Sequence, residues 1–169
     1  MAGGDFRLTA EPGSPVIVMT RSIAAPRGLV FDAVTKPEFV RRWLLGPPGW
    51  TMPVCEIDLR VGGRYRYLWR HEPDGAEMGM GGVYREIAAP ARVVSTEKFD
   101  QPWYPGEAVG CFDLVERAGR TMITHTVTYE SVEARDTVLK SPMEQGVAIG
   151  YDRLEELVAS LGRAGGGRP

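Results

Sequence analysis

The stretch Arg64-Tyr65-Arg66-Tyr67-Leu68-Trp69-Arg70 alternates with a period of two. Tyr65, Tyr67 and Trp69 fall on one face, and Arg64, Arg66 and Arg70 on the other. That pattern predicts a strand with an aromatic inner face and a charged, solvated outer one. Working outward, the same period predicts strands at about 52–59, 63–70, 80–87, 91–99, 109–116 and 120–129. Gly62-Gly63, Pro73-Asp74-Gly75, Ala89-Pro90, Pro102 to Gly106 and Ala118-Gly119 separate them. No helical segment intervenes, so neighbours join as antiparallel hairpins. Upstream, Val16 to Ile23 alternates in the same way and adds a first strand.

Helical spacing appears in three places. Ala25-Pro26 opens a helix whose apolar face is Leu29, Val30, Ala33 and Val34. Lys36-Pro37 breaks it and starts a second short helix with Phe39, Val40, Trp43 and Leu44, ended by Gly46-Pro47-Pro48-Gly49. After Ser141-Pro142, the residues Met143, Val147, Leu154, Leu157, Val158 and Leu161 recur at three- and four-residue steps and predict a long C-terminal helix. The fold class is therefore α+β. Seven antiparallel strands are too many to lie flat over one helix, so the sheet must curve around it. Residues 1–15 read as a loose lead-in, 16–161 as one domain and 162–169 as a flexible tail.

Composition narrows the function classes. A chain of 169 residues with net charge −2 suits one domain and exerts no general pull on nucleic acid or anionic membrane. Its apolar stretches fall far short of the roughly 18–20 residues that span a bilayer. The first residues lack the basic and apolar segments of a secretory signal. Cys55 and Cys111 stand in no metal or redox spacing. A disulfide between them stays open, but a reduced, cytoplasmic chain is the better expectation. Two histidines and two cysteines far apart make metal binding unexpected, and no phosphate-loop, dinucleotide or nucleophile-elbow pattern occurs.

Read in order, these elements resemble the SRPBCC or START-like superfamily, with its helix-grip fold. The nearer resemblance is to the branch that shares a domain with the activator of the heat-shock protein 90 ATPase. The residues that carry it are Ala25-Pro26, Val30-Phe31-Asp32-Ala33, Pro37-Glu38, Arg42-Trp43, and Gly46-Pro47-Pro48-Gly49. They continue through Cys55 to Arg60, Gly62-Gly63-Arg64-Tyr65, Gly81-Gly82-Val83-Tyr84, Ile87 to Pro90, and Gly146 to Leu154. The resemblance implies a cavity between the sheet and the last helix that takes a small hydrophobic or amphipathic molecule (lipid, sterol-like or polyketide-like). It implies no cofactor and no transferable catalytic residue. Two other readings stay open. One is a co-chaperone-like interaction domain, disfavoured because the additional domain of a true activator is not seen. The other is a cyclase- or hydrolase-type enzyme using the same cavity. A homodimer is compatible with all three.

Several side chains are candidates for the cavity. Trp43, Tyr65, Tyr67, Trp69, Tyr84 and Phe112 would supply apolar walls with polar handles, although aromatic residues also dominate ordinary cores. Met143, Gly146, Gly150 and Leu154 share one face of the last helix. Each glycine costs a helix interior roughly 0.5–1 kcal/mol relative to alanine, so something approaches the backbone closely or space is left there. Glu97 runs in register with Val93, Ser95 and Phe99, and His125 with Thr121, Ile123, Val127 and Tyr129. Turned inward, they are the groups able to hold or protonate a ligand; turned outward, Glu97 is simply solvated.

Overall fold

The computed structural model describes residues 5–165. In chain order it comprises β1 (Arg7–Thr9), β2 (Val16–Ile23), α1 (Arg27–Thr35), α2 (Pro37–Trp43), β3 (Trp50–Ile57) and β4 (Arg64–His71). There follow β5 (Glu77–Ala88), β6 (Arg92–Phe99), β7 (Ala108–Arg117), β8 (Arg120–Thr128), α3 (Val132–Leu139) and α4 (Met143–Gly165). The strands form one antiparallel sheet in the order β1-β2-β8-β7-β6-β5-β4-β3. α4 packs against this sheet as the sequence predicts for a helix-grip fold.

Local chemistry explains the element ends. Lys36 takes an extended conformation (φ −95°, ψ 127°), as a residue before proline prefers, and so ends α1. The same residue caps α2, whose first position is Pro37, where the missing N–H is no loss. Two elements go beyond the sequence reading. β1 lies inside the expected lead-in and pairs antiparallel with β2, Leu8 opposite Met19. α3 begins at Ser131, whose hydroxyl accepts the Ala134 N–H at 3.0 Å. Arg135 of α3 donates to the Glu11 carbonyl at 2.6 Å, tying the segment after β1 to the domain. α4 continues past Leu161 to Gly165, and the rest of the expected tail lies outside the described residues.

Register fixes the inner face. Ile17, Met19 and Arg21 of β2 stand opposite Val127, His125 and Ile123 of β8. Those in turn face Gly110, Phe112 and Leu114 of β7, and Ala108 faces Glu97 of β6. The buried side chains fall into two clusters. The larger holds Trp43, Tyr65, Tyr67, Trp69, Tyr84, Tyr151 and Leu154. The smaller is built around Ile17, Met19, Tyr104, Val127 and Tyr129. Along β8, His125 separates Val127 of one cluster from Ile123 of the other; along β7, Gly110 does the same between Ala108 and Leu114.

Candidate functional site

This polar seam in the apolar interior is the candidate site. Glu97 and His125 both lie on the inner face of the sheet, reached from neighbouring strands on either side of β7. A methyl group built on Gly110 would stand 3.0 Å from Glu97 Oε2 and 3.5 Å from His125 Nε2. The two polar tips therefore border the same bare patch of backbone. The His125 ring lies flat on Phe112, with centroids 4.0 Å apart and planes 7° apart.

Burial pushes the Glu97 carboxyl up to about 7 and His125 down to about 4. Burial is the only cause of either shift; no hydrogen bond or neighbouring charge adds to it among the described residues. Yet Glu97, His125 and Phe112 each retain accessible surface and are only half-buried. Groups that are desolvated, unpaired and still partly accessible border space that water or a ligand can enter. Near neutral pH the site thus presents a neutral imidazole, one nitrogen donating and one accepting, beside a carboxyl close to its midpoint.

The other expected residues are distributed unevenly about this space. Tyr65, Tyr67 and Trp69 project inward from β4, and Tyr84 from β5; all four are buried. Several polar handles are already engaged. Tyr65 Oη donates to the Thr96 carbonyl at 2.6 Å, past Gly82, where any side chain would overlap that carbonyl. Trp69 Nε1 donates to Leu44 O at 2.7 Å and Trp43 Nε1 to Ala33 O at 2.8 Å. Trp43 also stacks on Tyr151 within the larger cluster. Leu154 is fully buried in the larger cluster, whereas Met143 is half-buried against the smaller one.

Gly146 and Gly150 lie beside α2 and the loop that follows it. A β-carbon on Gly150 would stand 3.5 Å from Trp43 O, and one on Gly146 would stand 3.9 Å from Pro47. The glycine face of α4 meets α2 and the loop after it. A β-carbon at either position would make only ordinary contacts, so neither glycine is forced by a close approach.

Three residues have no place in the sequence-based site yet belong to it or brace it. Gly110 carries the signal of a lone glycine inside a strand, a mark of close approach. Tyr104 sits among the turn residues Pro102 to Gly106, and its aromatic neighbours Phe99 and Trp103 are the available hint. Arg21 shares the alternation of Ile17 and Met19, which places an arginine on the buried face. It is 2% exposed and binds Asp152 at 2.9 Å and Glu155 at 2.7 Å, holding α4 to β2.

On the opposite, outer face a groove of about 590 Å³ runs across β4, β5 and β6. Arg66 crosses it in a two-pronged bond to Asp100, 2.6 Å on each prong, and Arg70 pairs with Glu77 at 2.9 Å. Its central arginine is thus neutralised within the protein, unlike Glu97 inside. Among the described residues no cluster of three His, Cys, Asp or Glu side chains could hold a metal ion, and no helix is long and apolar enough to cross a membrane.

The sequence profile of the activator of Hsp90 ATPase homolog 1-like proteins matches residues 24–159. The chain belongs to that family. Activator-homolog-like architecture also appears in solved structures. A protein from Rhodobacter sphaeroides is 28% identical, with a TM-score of 0.84 over 92% of this chain and 98% of its own. Protein Ms6760 from Mycobacterium smegmatis is 22% identical, with a TM-score of 0.79 over 89% of this chain and 94% of its own. An activator-homolog-like protein from Aeromonas hydrophila is 19% identical, with a TM-score of 0.65 over 86% and 94%. At that identity the last two speak for the fold alone. The chain matches no curated protein.

Proposed function

We propose that this protein binds a small, mainly apolar molecule between the sheet and α4, with the ligand's polar group held by Glu97 and His125. The observation that carries this reading is the pair itself. Two titratable side chains lie on the inner face without a partner among the described residues, yet keep accessible surface. A buried carboxyl without a hydrogen bond costs several kcal/mol on the scale of polar-group transfer, roughly 1–3 in protein terms. Such a group belongs where a ligand or water completes it. Tyr65, Tyr84 and Phe112 then supply the apolar wall and the pair supplies orientation, the usual division of labour in small-molecule sites. Trp43, Met143, Gly146, Gly150 and Leu154 shape the helix side at one remove. In this reading the protein works in the cytoplasm, where its two free thiols, Cys55 and Cys111, stay reduced.

The test is a thermal-shift screen with fatty alcohols, a sterol and flavonoid-like aromatics, followed by NMR of any compound that raises the melting temperature. Amide shifts centred on Ser95–Glu97, Gly110–Phe112 and His125 are expected. A panel with no stabilising compound, or shifts confined to the outer groove around Arg66, would overturn the reading.

A further inference from the structure

The charges of the inner face do not balance around Glu97. Arg21 on that face is already neutralised by Asp152 and Glu155, and among the described residues no neighbouring charge acts on Glu97. The titratable groups within electrostatic reach of Glu97 are phenols and a neutral imidazole. Tyr65 and Tyr67 come from β4, Tyr104 from the loop after β6, His125 from β8, Tyr129 from just beyond β8, and Tyr151 from α4. All five tyrosines are buried, at most 7% exposed. Burial raises the pKa of each hydroxyl, and the negative charge of Glu97 raises it further. That dependence puts all five within electrostatic reach of the carboxylate. The Tyr151 hydroxyl is fully enclosed and has no hydrogen-bond partner.

A carboxylate that has no cationic partner, stands beside an imidazole without a hydrogen-bond partner and keeps accessible surface is complementary to an ammonium group. A carboxylate ligand would meet Glu97 charge to charge. A neutral alcohol could hydrogen-bond to it but would leave its charge unbalanced. We propose that the ligand of this site is an amine with an apolar body, bound as the ammonium against Glu97. This rests on the reading of the site given above and names the ligand's polar group. Binding would convert Glu97 fully to the carboxylate, so near its midpoint the protein releases a proton to solvent as the amine enters.

Three probes with one common tail test it: phenylbutylamine, phenylbutanol and phenylbutyrate, titrated calorimetrically into the full-length protein. The amine should bind about tenfold more tightly than the alcohol at about pH 8, with the carboxylate weakest. Repeating the titration near pH 6.5, in buffers of different ionisation enthalpy, should show proton release with the amine and none with the alcohol. Glu97→Gln should erase the preference of amine over alcohol, and His125→Gln, which keeps the carboxylate, should retain that preference even where both affinities fall. Alcohol or carboxylate binding as tightly as amine overturns the ammonium proposal and leaves the apolar site standing. If none of the three binds, the ammonium proposal is overturned; a blank wider panel then removes the site reading too.

Discussion

The carboxyl of Glu97 occupies the space above Gly110, with Oε2 3.0 Å and Cδ 3.2 Å from where a β-carbon on Gly110 would stand. Both distances are tighter than ordinary carbon contacts, so even a methyl group there must push the flexible Glu97 tip aside. Gly110→Ala should fold, because the displaced atoms end a mobile side chain, and stability should change by no more than about 1 kcal/mol. Ligand affinity should fall about tenfold, as expected when a positioned group is lost. Carbon-detected NMR of the Glu97 carboxyl would follow the displacement directly. An unchanged carboxyl shift and titration curve would contradict this geometry.

Glu97 and His125 give stability opposite dependences on pH. Glu97 titrates at about 7 in the folded protein against an ordinary 4.5, so the folded state holds its proton longer; its contribution is complete below pH 4.5 and is lost as pH rises toward 7. His125 titrates at about 4 against an ordinary 6.5, so the unfolded state takes the proton first; its contribution is complete above pH 6.5 and is lost as pH falls toward 4. Between these limits the two slopes oppose each other and largely cancel in the wild type. Urea denaturation across pH should separate them. Glu97→Gln should leave a stability that rises from pH 4 to 6.5, and should exceed the wild type by roughly 1–3 kcal/mol at about pH 8. His125→Gln should leave a stability that falls from pH 4.5 to 7. Parallel pH profiles in the two variants would show that neither group is desolvated.

How much of this was legible beforehand depends on whether the information is local. The inward turn of Tyr65, Tyr67 and Trp69 is written in a period of two, and so is the phase of Glu97 with Val93 and His125 with Val127. The meeting of Glu97 and His125 over Gly110 is not, because it needs the register of three strands, with Glu97 opposite Ala108 and His125 opposite Phe112. β1 is three residues long, too short to show a period, and pairing with β2 is what makes it a strand. α3 has its capping serine but little apolar stripe, so its start is legible and its length is not. On α4 the glycines are legible as a stripe with Leu154. What the stripe touches is decided by where α2 lies, a long-range fact.

That long-range fact gives the α4 glycines a testable sign. A methyl group on Gly150 would sit 3.5 Å from Trp43 O and 3.8 Å from the Trp43 ring, ordinary contact distances. Alanine therefore fits and removes the helix cost of glycine, so Gly150→Ala should stabilise by roughly 0.5–1 kcal/mol. Leucine cannot fit without moving α2 away from α4, and Gly150→Leu should destabilise by about 1–3 kcal/mol. Gly146, with Pro47 at 3.9 Å, should accept alanine equally well. Thermal melts of the three variants check this; a higher melting temperature for Gly150→Leu would mean that the face points elsewhere.

Arg21 makes the last prediction, about what holds α4 in place. Its guanidinium is almost fully buried, while Asp152 keeps 58% and Glu155 26% of its side-chain surface accessible. The two ends of this link are thus unequal. Without Arg21 the acids remain solvated, so Arg21→Met should cost about 1–3 kcal/mol, chiefly the lost contact between β2 and α4. Without the acids a buried cation is stranded, and its Nε already lacks a partner. Asp152→Asn combined with Glu155→Gln should therefore cost more, on the order of 3–5 kcal/mol. Adding Arg21→Met to that double variant should restore part of the loss, since it removes the stranded charge. Urea denaturation of the three proteins gives the comparison. If the double acid variant proves as stable as Arg21→Met, the guanidinium must find water or another acceptor, and α4 is held by its apolar face alone.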